Sequence, residues 1–171
     1  IDAKKIIQSQ LVSPGFRIIA VSQRFFKDEV IVPEKLIYVN DEMDVFQYEK
    51  GNDITIVCFN FSFSYGKKLY ELLKESKFSC SLFNVNSPSS ANWKEIIEDV
   101  SKTKNIIIID DSKSQNLNCF RLISDITDEI TLERKIILTR ELENSSWLNP
   151  SDEEMSINYE KIINSFEYRN N

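Results

Sequence analysis

Asn105-Ile106-Ile107-Ile108-Ile109-Asp110-Asp111 is the stretch that decides the fold. Four consecutive isoleucines leave no polar face, so a strand built from them must be covered on both sides, as in the centre of a parallel sheet. The run stops at two carboxylates. Upstream, Ile54-Thr55-Ile56-Val57-Cys58-Phe59 is a second run of this kind, and Tyr65 to Lys77 follows it with Leu69, Leu72 and Leu73 at helical spacing. Cys80, Leu82, Phe83 and Val85 make another strand, ending in the turn formers Asn86-Ser87-Pro88. Ser89-Ser90-Ala91-Asn92 then offers N-cap residues to a helix whose apolar face is Trp93, Ile96, Ile97 and Val100, with Lys102 and Lys104 near its C-terminus. Beyond the isoleucine run, Leu117, Phe120, Ile123 and Ile126 form a third helical stripe. Lys135-Ile136-Ile137-Leu138-Thr139 reads as a fourth strand, and Ile157 to Phe166 as a last amphipathic segment.

Three strand–helix units in succession require crossover helices, which pack right-handedly over a parallel sheet. The expected fold is α/β: a three-layer sandwich with a mainly parallel sheet of about five strands and helices on both faces. The first 50 residues differ in character. Phe16 to Val21 reads as a strand without a helix of its own, and Leu36 to Val39 and Val45 to Tyr48 flank Asn40-Asp41-Glu42.

The chain has 171 residues and 20.0 kDa, room for one domain plus flanking chain, and 42% hydrophobic with 28% charged residues can bury a core. It has no His, which removes Ser/His/Asp and Cys/His nucleophile systems and His-ligated zinc. Its three glycines, Gly15, Gly51 and Gly66, are scattered singly, so no P-loop or G-x-G-x-x-G turn can be written. A net charge of −6 argues against a nucleic-acid partner. No apolar run reaches the roughly 20 residues of a membrane span. Cys58, Cys80 and Cys119, odd in number and set in apolar runs, read as reduced core residues of a cytoplasmic protein. A start at Ile1, without a signal pattern, is expected of a fragment or processed product.

Open α/β sheets bind ligands at the carboxyl ends of their strands, which marks three places. In Asn60-Phe61-Ser62-Phe63-Ser64, hydroxyls and N–H groups at a helix N-terminus offer an anion site, or else Ser62 or Ser64 caps the helix. Another of the three is the aromatic content, Phe25, Phe26, Phe61, Phe63, Trp93 and Trp147, in which Phe61 and Phe63 alternate in a loop-like context as parts of an interface or of the core. Asp110-Asp111 is a candidate magnesium or phosphate-acceptor corner, set against a solvated strand end as the simpler expectation. Asn86 closes the set, at the end of the strand that begins with Cys80.

The order of these pieces resembles the C-terminal domain of transketolase-like thiamine diphosphate enzymes, above all the beta subunit of the decarboxylating component of 2-oxoacid dehydrogenases. Glu49-Lys50-Gly51-Asn52-Asp53-Ile54-Thr55-Ile56-Val57 is similar to that family's charged turn into its first strand. Ser87-Pro88 through Asn92-Trp93-Lys94-Glu95-Ile96-Ile97 resembles its P-x-D-x-x-x-I segment, with Asn92 in the place of Asp. Glu98 to Asn105, followed by Ile106 to Asp111, resembles its helix end, strand and acidic pair. Pro14-Gly15-Phe16-Arg17-Ile18 is similar to the last strand of the preceding domain. Departures stand at Asn60, where the family has Gly, at Asn86, where it has Arg, and across the Gly-free stretch Ser112 to Asn118.

The resemblance implies a division into residues 1–50, the end of a preceding domain plus linker, and residues 51–171, the α/β domain. It also implies that thiamine diphosphate and Mg belong to domains absent here, so that this chain binds no cofactor and has no catalytic or metal-ligating residue of its own. The implied role is assembly, as a homodimer or with the missing cofactor-binding domains or subunit, without nucleic acid or membrane. Two alternatives stay open: a stand-alone divergent protein-binding or scaffold module, and a small-ligand-binding α/β domain using Asp110 and Asp111.

Overall fold

Six strands form one sheet: β1 (Tyr38–Val39), β2 (Val45–Glu49), β3 (Ile54–Phe59), β4 (Cys80–Val85), β5 (Asn105–Asp110) and β6 (Arg134–Thr139), in the order β1-β2-β4-β3-β5-β6. The helices are α1 (Phe63–Glu75), α2 (Lys94–Thr103), α3 (Asn118–Glu129) and α4 (Tyr159–Glu167). This computed structural model describes residues 35–86, 92–112, 117–140 and 155–167, with positions 4, 7, 8 and 12. The expected strand at Phe16 to Val21, the aromatics Phe25, Phe26 and Trp147, the cap residues Ser89 to Ala91 and most of the stretch 112–118 lie outside the described residues.

β4, β3, β5 and β6 are parallel, and the isoleucine strand β5 pairs with β3 on one side and β6 on the other. Side chains alternate between two cores. Val57, Phe59, Ile106 and Ile108 face Trp93, Ile96 and Val100 of the α2 segment and Cys119, Leu122 and Ile126 of α3. Ile54, Ile56, Cys58, Ile107 and Ile109 face Leu69 and Leu73 of α1 and Ile162 and Phe166 of α4. Helices therefore cover both faces, as the unbroken apolar strands require, and the three-layer α/β sandwich is the observed fold.

The sheet has one strand more than expected because the chain ahead of Gly51 joins it. β1 and β2 are antiparallel to each other, and β2 is antiparallel to β4. Asn40 makes the hairpin: its Oδ1 accepts from the N–H groups of Asp44 and Val45 at 3.0 Å, the side-chain turn that Asn supplies.

Two glycines permit close approach. A methyl group at Gly66 would overlap the Cys58 sulfur, so α1 packs on β3 only without one, and a methyl at Gly51 would overlap the Ser79–Cys80 backbone. Below the sheet, at the amino ends of the parallel strands, buried Asp99 of α2 accepts from Thr55 Oγ1 at 2.7 Å and Ser81 Oγ at 3.0 Å, binding α2 to β3 and β4. The three cysteines are buried and free of disulfides. No helix among the described residues is long and apolar enough to cross a membrane.

Candidate functional site

The chain leaves β3 through α1 toward β4 on one side, and leaves β5 through α3 toward β6 on the other. The carboxyl ends of β3 and β5 are thus the switch point at which an open α/β sheet forms its ligand crevice. Asn60 and Asp110 stand there. Phe59 and Asp110 are paired across the two strands, and the next residue, Asn60, has φ 59, the left-handed region. That conformation explains why a glycine is usual at this position in the family resembled: Asn is the side chain that best tolerates it. Asn60 then uses its side chain, donating from Nδ2 to Asp110 Oδ1 at 2.8 Å. The same oxygen accepts from the Ser112 N–H at 3.0 Å.

Ser62 closes the crevice further. It occupies the N-cap position of α1, where its carbonyl accepts from the Gly66 N–H at 3.0 Å, but its hydroxyl does not cap the helix. The hydroxyl donates instead to the Ile109 carbonyl at 2.6 Å, tying the start of α1 to β5. The expectation that Ser62 caps through its side chain is corrected by this bond. Ser64 lies exposed inside α1.

Asp110 and Asp111 are both buried, at 0% and 4% exposure, so the expected solvated strand end is also corrected. Asp111 is neutralised by an ion pair with Arg140, the residue after β6, whose side chain is itself 10% exposed. Arg140 was not among the sequence candidates. Its signal was positional: Asp110 and Thr139 are paired neighbours on β5 and β6, so the residue after each stands beside the other.

The remaining candidates separate. Phe63 turns inward onto Tyr48, ring centroids 4.7 Å apart, whereas Phe61 stays 39% exposed. Asn86, at the carboxyl end of β4 on the other side of β3, turns toward the chain ahead of β2: its N–H donates to the Asp44 carbonyl at 2.8 Å, and its Oδ1 accepts from Asn84 Nδ2 at 2.7 Å. Burial pushes the Cys58 thiol up to about 12, and burial together with the Asp110 carboxylate pushes Cys119 up to about 12. These thiols are core groups, poor nucleophiles at neutral pH.

The donor set does not fit a magnesium diphosphate. Among the described residues no three His, Cys, Asp or Glu gather around one point; Asn60 and the Ser112 N–H engage Asp110 Oδ1 and Arg140 engages Asp111, while Asp110 Oδ2 is buried without a hydrogen-bond partner.

The architecture is that of a transketolase-like α/β domain. A solved structure with this fold is a chain described as a split gene transketolase, inactive beta4 tetramer, which matches with a TM-score of 0.60 over 82% of this chain at 11% identity. The chain spans 45% of that one's length, and the likeness is one of fold. No protein-family model matches the sequence, and no curated protein matches it.

Proposed function

We propose that the chain is the C-terminal assembly domain of a transketolase-like thiamine diphosphate enzyme, of the 2-oxoacid dehydrogenase beta-subunit type, and that it performs no chemistry alone. The observation that carries the reading is the closed switch point. Where an α/β domain that bound its own substrate would open a crevice, Asn60 donates to Asp110 Oδ1, Ser62 donates to the Ile109 carbonyl and Arg140 pairs with Asp111, which leaves Asp110 Oδ2 buried among them without a hydrogen-bond partner.

The same end of the sheet carries exposed aromatics, Phe61 in the β3–α1 loop and Phe120 in the first turn of α3, 39% and 51% exposed. Exposed aromatic side chains over a polar interior suit a docking face better than a reaction site. The left-handed Asn60 removes one argument for a degenerate scaffold module, since that departure from Gly preserves the backbone turn. A partner carrying the two cofactor-binding domains, mixed with this chain, should gain thiamine diphosphate-dependent turnover that neither component has alone. Sedimentation showing no association, together with no gain in turnover, overturns the proposal.

A further inference from the structure

The opposite end of the sheet holds a cleft of about 460 Å³, within the size range of small-molecule sites. Four loop ends build it: Asn52 and Asp53 before β3, Ser76 to Phe78 before β4, Thr103 and Asn105 around the start of β5, and Glu133 and Arg134 at the start of β6, with Phe166 of α4 as one wall. The walls are fixed before any ligand arrives. The N–H groups of Asn52 and Asp53 donate to the Ser79 carbonyl at 3.1 and 2.8 Å, and the Phe78 N–H donates to the Leu73 carbonyl at 2.9 Å. Asn105 Nδ2 donates to the Asp53 carbonyl at 3.1 Å.

Two features give the cleft a chemistry. Phe78 and Phe166 meet edge to face at 6.0 Å; Phe166 is buried, and half-buried Phe78 supplies the aromatic surface of the cleft. The half-buried Arg134 guanidinium lies 4.6 Å from the Phe166 ring centroid, and its hydrogen bond, to Ser165 Oγ, is long at 3.4 Å. Among the described residues Arg134 is in no ion pair, and neither is Lys77, exposed in the lining of the same cleft. A guanidinium stacked on a ring, with most of its planar fork unused, is the arrangement that receives a carboxylate or phosphate in two parallel hydrogen bonds. Two acids line the cleft: Asp53 already accepts from the Ser79 N–H at 2.7 Å, and Glu133 lies exposed beside Arg134 in sequence.

We infer that this cleft binds a small planar organic anion, an aryl group carrying a carboxylate or phosphate: the ring lies against half-buried Phe78, and the anionic group pairs with Arg134 and Lys77. The inference concerns the end of the sheet away from the proposed docking face and stands apart from the assembly role. The test titrates the full chain with phenyl phosphate, benzoate and inorganic phosphate, followed by calorimetry and amide shifts. Saturable binding is expected for at least one aryl anion, with shifts at Phe78, Arg134 and Phe166, and the better-bound one names the anionic group. Inorganic phosphate, lacking the ring, should bind at least about tenfold more weakly, and Arg134→Gln should weaken the aryl anion by about tenfold or more. Lys77→Gln, on an exposed side chain, carries the test should Arg134→Gln fail to fold, with about threefold weakening expected. No saturable binding of either aryl anion, shifts confined to the other end of the sheet, or affinity indifferent to these substitutions overturns the inference.

Discussion

Asn60 Nδ2 donates to Asp110 Oδ1 at 2.8 Å, bridging the ends of the two strands from which the chain departs in opposite directions. Backbone and side chain of Asn60 contribute separately, and substitution can separate them. Asn60→Gly keeps the left-handed turn and deletes the bridge to a buried carboxylate, so it should cost about 1–2 kcal/mol. Asn60→Ala deletes the bridge and adds the left-handed strain, about 1 kcal/mol more. Urea denaturation of both variants checks the order; equal stability of the two would show that φ 59 is not strained for alanine.

The contact between α1 and β3 gives a size-swap prediction. Gly66→Ala pushes a methyl into the Cys58 sulfur and should destabilise by about 1–3 kcal/mol. Cys58→Ala, which empties that space, should cost about 1–2 kcal/mol alone. Together they should cost clearly less than the sum, and a double-mutant cycle on denaturation free energies reads the difference. Additive costs would mean that the helix shifts rather than clashes.

Much of this fold was legible because the parallel strands are apolar without interruption: Ile54–Phe59 and Asn105–Asp110 admit no solvent-facing side, so helices on both faces followed. The edge of the sheet was less so. β1 has two residues, and its pairing depends on the Asn40 side chain, which composition alone does not place. At the candidate site the positions were legible and their state was not. Asp110 and Asp111 read as a solvated pair because their partners, Asn60 and Arg140, are distant in sequence and meet them only through the strand order. Ser62 read as a cap because its spacing fits one, whereas the nearer acceptor, the Ile109 carbonyl, comes from another strand.

Asp99 makes stability depend on pH. Burial raises its pKa above the ordinary 3.8, against the hydrogen bonds from Thr55 and Ser81 that lower it. A carboxyl group with a raised folded-state value binds its proton more readily in the native chain. Its contribution is therefore full below the ordinary value and is lost as pH rises through the folded one. Asp99→Asn removes a group with that profile, so the variant should gain on the parent chain between acidic and neutral pH. Denaturation midpoints measured across that range check the sign, and a gain in the opposite direction would contradict the burial of Asp99.

The three thiols should be silent in the native chain. Burial pushes Cys58, Cys80 and Cys119 each up to about 12, with Asp53 adding to the effect at Cys80 and Asp110 at Cys119. An aromatic disulfide reagent at mildly alkaline pH should modify the native chain at least about a hundredfold more slowly than the unfolded one. All three should then react together in denaturant. Rapid modification of one thiol without denaturant would place it outside the core.

The proposed docking face is tested by its aromatics. Phe61 and Phe120 are 39% and 51% exposed, so replacing either with serine removes about half of an aromatic side chain's burial and should cost about 1–2 kcal/mol while the chain stays folded. If these side chains anchor a partner, each substitution should weaken association with the cofactor-binding domains by about tenfold, and the pair by more. Recovered turnover should fall in step with association. Serine at exposed Glu129, on the far end of α3, is the control expected to leave both unchanged. A double variant that folds normally and still associates with undiminished affinity would move the interface away from the carboxyl end of the sheet.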